Sequence, residues 1–120
     1  MILILGGAAS GKHTYVQSLG YADSDIADAE LDSRPVLMNL QTLVAHDPAN
    51  AEALLPLLLN KDVISCDEIG CGVIPIDAEA RALRESVGKL CILLAQHAEK
   101  VIRMVCGIPM LLHSVVEQND

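Results

Sequence analysis

Gly6-Gly7-Ala8-Ala9-Ser10-Gly11-Lys12 fits the spacing G-x4-G-K. The chemistry this spacing serves is phosphate binding. Glycines let the chain curl until successive backbone N–H groups point inward around an anion. A helix start behind the curl adds a positive dipole end, worth about 0.3–1 kcal/mol per charge. A lysine at the end of the motif reaches the outer phosphates of a nucleotide. Gly6, Gly7, Ala8, Ala9, Ser10, Gly11, Lys12 and His13 are therefore the candidate phosphate-binding residues, and Lys12 is also a candidate catalytic cation. The competing reading is a plain strand-to-helix turn that contains glycines.

The eighth position of such a loop ordinarily carries Ser or Thr, whose hydroxyl ligates Mg²⁺. This chain has His13 there. Thr14 is no simple substitute, because one helical step turns a side chain by about 100°. Imidazole is a poor ligand for a hard cation that prefers oxygen. The anion cradle is thus expected without its metal anchor, and no metal-ligand set is assigned. His13 also reads as an ordinary polar helix residue.

The elements around the loop support it. Met1-Ile2-Leu3-Ile4-Leu5 is an unbroken apolar run, as in a strand buried on both faces. A helix is expected from Gly11 or Lys12 to about Leu19, closed by Gly20. Residues 21–33 are polar and acidic, with Asp23, Asp25, Asp28, Glu30 and Asp32 in a solvated loop. Placed near Lys12, these carboxylates would oppose an anion. Residues 35–38 and 62–66 read as strands, and 40–46 and 50–59 as helices, the second disturbed by Pro56. Asp77 is positioned to cap a long helix over 78–98, with Leu83, Val87, Leu90, Cys91, Leu94 and Ala98 on one face. Residues 101–106 form a further strand, ended by Gly107 and Pro109, and the stretch beyond Leu112 carries no signal. Alternating strands and helices predict an α/β fold with a mainly parallel sheet of four or more strands.

Composition narrows the function. At 120 residues the chain is expected to be one domain spanning 1–120, hiding roughly two-thirds of its unfolded surface. The net charge of −8 argues against nucleic-acid binding, which needs clustered cations. Only Tyr15 and Tyr21 are aromatic, so the core must be aliphatic and stacking platforms are missing. No apolar run approaches the 18 or so residues of a membrane span, and no basic region precedes the first apolar run as in a secretory signal. Cys66, Cys71, Cys91 and Cys106 form no CxxC pair and read as reduced thiols, so the expected location is cytoplasmic.

Beyond these features, several motifs in order resemble one family, the bifunctional adenosylcobinamide kinase / adenosylcobinamide-phosphate guanylyltransferases of cobalamin biosynthesis. The glycine loop is similar to the family's opening loop. Asp67-Glu68-Ile69-Gly70-Cys71-Gly72-Val73-Ile74-Pro75 resembles its N-E-V-G-x-G-I-V-P. Ala80-Arg81, Arg84-Glu85 and Gly88 fall where the family has A-R, R-D and G. Residues 36–43 resemble V-L-V-D-C-L-T-L, and residues 105–109 the closing A-G-L-P turn. The resemblance implies a three-layer phosphate-loop fold related to RecA-like nucleotide-binding proteins. It also implies GTP or ATP as nucleotide, adenosylcobinamide as acceptor, and a homo-oligomer. Within it, Glu68 would orient a substrate hydroxyl and Arg84 would contact phosphate. The alternatives are that Glu68 hydrogen-bonds the glycine loop and that Arg84 lies on a solvated helix face.

Departures from that pattern are equally specific. The family's second strand ends in a metal-side Asp, where this chain has Asn39. An amide lacks the charge that draws Mg²⁺. The family's guanylylated His lies in a long segment before that strand. Here residues 20–33 fill the gap and include no His. The family's N-Q after the long helix's G-x-L is replaced by Cys91-Ile92. Two functional expectations follow. One is a nucleotide- or phosphate-binding relative that has lost guanylyl transfer. The other is a trimmed nucleotide-dependent kinase acting on adenosylcobinamide.

Overall fold

The computed structural model describes residues 1–68 and 77–115. Six strands form one sheet: β1 (Ile2–Gly6), β2 (Ile26–Asp28), β3 (Val36–Met38), β4 (Val63–Asp67), β5 (Lys100–Val105) and β6 (Ile108–Ser114). Their spatial order is β2-β3-β4-β1-β5-β6. The first five run parallel, and β6 returns antiparallel to β5. The helices are α1 (Lys12–Ser18), α2 (Leu40–Ala45), α3 (Leu55–Leu58) and α4 (Ala78–His97).

The apolar runs work as expected from burial on both faces. Consecutive side chains of a strand point to opposite faces of the sheet. Leu3, Leu37, Ile64 and Val101 join Leu90 and Leu94 of α4 and Leu40 and Val44 of α2 in one aliphatic cluster. Ile4, Val36, Val63, Ile102 and Met104 point the other way, against Val16 of α1. The result is the anticipated three-layer α/β arrangement. Leu3, Ile4, Ile64, Leu90 and Leu94 are fully buried. Each contributes on the order of 2 kcal/mol by leaving water.

Local signals explain the element ends. Gly20 takes a φ of 102° just past α1, the left-handed conformation that stops a helix. The Asp77 carboxylate accepts the Glu79 N–H at 2.9 Å, capping α4. Three expectations need correction. The helix anticipated over 50–59 is a 3-10 helix over Pro48–Leu54 that passes into the short α3, whose first turn takes Pro56. The acidic stretch contains β2, too short for a periodic signal. Gly107 does not end the sheet. Cys106 and Gly107, with φ of 50° and 78°, form a two-residue hairpin turn, and Val105 pairs with Ile108. Pro109 is tolerated because β6 is an edge strand. Ile108, Met110, Leu111 and Leu112 are exposed on it.

Candidate functional site

The glycine loop lies at the carboxyl ends of the parallel strands, where open α/β sheets bind ligands. Gly6 is the last residue of β1 and stands beside Asp67 of β4 and Met104 of β5 in register. A Cβ on Gly6 would stand 2.6 Å from Ser10 Oγ and 2.8 Å from the Met104 carbonyl. The loop can therefore fold back over the sheet only with glycine there. Gly11 has a φ of 96°, and a Cβ on it would meet Gly107 Cα at 3.1 Å. The Ser10 carbonyl, just ahead of α1, accepts the Gly107 N–H at 2.9 Å. The hairpin turn thus braces the loop from the side.

Lys12 opens α1 and is buried, with 6% of its surface exposed. Its ammonium donates to the Gly7 carbonyl at 2.6 Å, the Gly6 carbonyl at 3.1 Å and Ser10 Oγ at 3.4 Å. It also forms an ion pair with Asp67 Oδ1 at 2.8 Å. The cation is held inside the curl by the loop that it closes.

A cavity of about 450 Å³ opens beside it, lined by residues 8–14 with Ile26, Asp28, Met38, Asn39 and Asp67. Seven consecutive loop and helix residues thus share one concave surface. Gly6 and Gly7 stand behind it and contribute carbonyls to Lys12. His13 turns outward, its Nε2 lying 3.2 Å from Asp23 Oδ1. Hydrogen bonds from His13 and Gln17 hold the Asp23 carboxyl below its ordinary range.

Asn39 follows β3 in the left-handed conformation, with a φ of 61°. Its backbone N–H donates to Ser65 Oγ at 3.1 Å, and its Nδ2 donates to Asp28 Oδ1 at 2.6 Å. Gln41 donates to Asn39 Oδ1 at 3.4 Å and accepts the Asp67 N–H at 2.9 Å. A polar chain therefore ties the tips of β2, β3 and β4 together along the cavity wall.

The remaining predicted residues do not line the cavity. The Glu68 N–H donates to the Gly6 carbonyl at 2.9 Å, so its backbone does support the loop. Its carboxylate is taken by Arg103 of β5, at 2.8 and 3.1 Å, in a bidentate pair. Arg84 lies on α4 and is not among the described residues that line the cavity. Ile69 to Pro75, the rest of the second motif, lies outside the described residues.

Sequence reasoning missed Asp67 and Arg103 as members of this end of the sheet, and of the acidic stretch that it set conditionally near Lys12, Asp28 lines the cavity. Arg103 carried a signal, a charge inside an apolar strand. Asp67 and Asp28 required the strand register to be known. Of the cysteines, Cys66 is buried and Cys91 packs against the same aliphatic cluster. The hydrogen bond with Cys91, together with burial, pushes the Cys66 thiol up.

Two comparisons bear on this arrangement. Residues 36–112 match the family model described as cobinamide kinase / cobinamide phosphate guanyltransferase. That stretch is more than half of the chain and runs from β3 into β6, downstream of the glycine loop. No curated protein matches the chain.

Proposed function

Because the chain belongs to the cobinamide kinase / cobinamide phosphate guanyltransferase family, we propose that it binds the phosphates of a nucleotide, GTP or ATP, in the glycine-loop cavity and does not carry out guanylyl transfer. Residues 1–120 act as one phosphate-loop domain in this reading. The observation that supports it most is the pairing of buried Lys12 with a concave surface built from residues 8–14. Backbone N–H groups in that curl and the Lys12 ammonium would receive the phosphate oxygens. The loss of guanylyl transfer rests on residues 20–33, which have no histidine to accept GMP.

The donor set does not fit the Mg²⁺ that nucleotide-dependent folds of this kind employ. The His13 imidazole is directed at Asp23, and the Asn39 amide is engaged by Asp28 and Gln41. In the free protein the Asp67 carboxylate is paired with Lys12. Binding is therefore expected to proceed on amides and Lys12 alone. Calorimetric titration with GTP, ATP and GMP, with and without Mg²⁺, tests this. Saturable binding of similar affinity in both conditions is the expected result. Tight binding that appears only with Mg²⁺ would overturn it.

A second reading, phosphoryl transfer to adenosylcobinamide, is favoured by Asp67, a carboxylate in the same cavity that could accept a hydroxyl proton. Labelled ATP or GTP with adenosylcobinamide distinguishes the two. Labelled corrinoid above a Lys12→Ala control is required by the second reading, and nucleotide binding without labelled corrinoid leaves the first alone. The family's homo-oligomer is carried here as well, supported by the exposed apolar edge of β6. Sedimentation velocity reads it directly, a monomer at high concentration being the contrary result.

A further inference from the structure

Resting on the phosphate-binding reading above, we propose that Asp67 is a tethered counter-anion that occupies Lys12 in the free protein, so that binding of a nucleotide's phosphates exchanges one anion for another at a cost that grows with the ligand's charge. An ammonium has three N–H donors. Three acceptors lie within 3.1 Å of Lys12 Nζ: the Gly7 carbonyl, Asp67 Oδ1 and the Gly6 carbonyl. Two of them are neutral carbonyls of the loop itself. Asp67 is the charged partner. A phosphate that engages Lys12 must take its place.

Asp67 cannot simply withdraw. It is the last residue of β4, set opposite Gly6 by the parallel pairing of β1 and β4. Its own N–H is fixed by Gln41 Oε1 at 2.9 Å. The displaced carboxylate therefore stays on the cavity wall beside the incoming anion. Asp28 lines the same cavity, held by Asn39. One ammonium thus faces two carboxylates. Each additional negative charge on a ligand meets repulsion that the lysine cannot offset, least screened at the part-buried Asp67. A phosphate monoester suffers least, and pyrophosphate or a triphosphate suffers most. Asp67 is in this sense a specificity-determining residue.

The test compares wild type with Asp67→Asn by calorimetric titration with GMP and with inorganic pyrophosphate, in buffer without divalent cations. Asparagine keeps the shape and loses the charge. The variant should bind pyrophosphate at least tenfold more tightly than wild type. The gain for GMP should be smaller, so the preference moves towards the polyphosphate. Should Asp67→Asn lose the wild-type circular-dichroism spectrum, Asp67→Ser replaces it with the same expected shift. Equal pyrophosphate affinity in wild type and variant would overturn the exchange and leave phosphate binding standing. Failure of both ligands to bind either folded protein would overturn phosphate binding itself, and the exchange with it.

Discussion

Two lysines of this chain are buried to almost the same degree, Lys12 at 6% exposure and Lys61 at 8%. They stand at opposite ends of the sheet, Lys12 just beyond β1 and Lys61 just before β4. Their surroundings differ in one respect. Lys61 donates to the Asp32 and Arg34 carbonyls, and the distance to Arg34 is 2.6 Å. Neutral backbone oxygens grip it and tie the 32–34 turn to the start of β4. Lys12 also donates to two backbone carbonyls, but it adds the Asp67 carboxylate and faces a cavity. A lysine satisfied by backbone is part of the scaffold. A lysine whose remaining partner is a side-chain anion at the wall of a cavity can exchange that partner for a ligand. Burial alone does not separate the two roles; the charged partner at the cavity wall does.

The comparison can be broken most directly at Lys12. Lys12→Ala should weaken GMP binding by at least about a hundredfold, the scale of a lost charged phosphate contact, and should cost about 2 kcal/mol or more of stability, because two carbonyls and Asp67 lose a charged donor. Calorimetry and urea unfolding measure the two effects. Lys61→Met should show the second without the first. Two carbonyls would lose a charged donor, costing about 2 kcal/mol of stability, while GMP affinity stays at the wild-type value. A large affinity loss in Lys61→Met would erase the distinction.

A third prediction concerns the rim of the Lys61 site. Arg34 donates to both oxygens of Asp32 and to Glu30, and its hydrogen bonds hold the Asp32 carboxyl down at about 2. A depressed carboxyl contributes stability above its ordinary value, and that contribution is lost as pH falls through the folded value. The turn should therefore loosen between about pH 4 and pH 2. Carboxyl-detected NMR titration of Asp32 should show the low midpoint, and Arg34→Ala should return it to the ordinary carboxyl range. The smallest effect is expected at His13. Its imidazole makes only an exposed contact with Asp23, a kind worth about 1 kcal/mol at most. His13→Ala should leave GMP affinity within about threefold of wild type.

Much of this is legible in the sequence alone. The tight curl after β1 is signalled by Gly6 and Gly11, because a chain that folds back so closely has few residue types to choose from. The strands β1, β3, β4 and β5 were visible as unbroken aliphatic runs, since both faces of a parallel sheet are buried. The Asp77 cap and the aliphatic face of α4 followed from spacing. What stayed hidden depended on partners distant in sequence. Asp67 reaches Lys12 only because β4 is inserted between β1 and β3, and Asp28 reaches the cavity only because β2 lies beside β3. β6 was obscured because Gly107 and Pro109 read as a terminus. The left-handed Cys106-Gly107 pair is equally a hairpin signal, and neighbouring residues alone do not decide between the two.

The central claim is that Lys12 and the amides of residues 8–13 grip a phosphate without a divalent cation. Amide chemical shifts of the full chain, followed while GMP is added in excess chelator, examine it most directly. The account predicts saturable shifts concentrated at residues 8–13 in wild type and absent in Lys12→Ala. Shifts at those residues that emerge only once Mg²⁺ is supplied, or that fall elsewhere on the sheet, would contradict it.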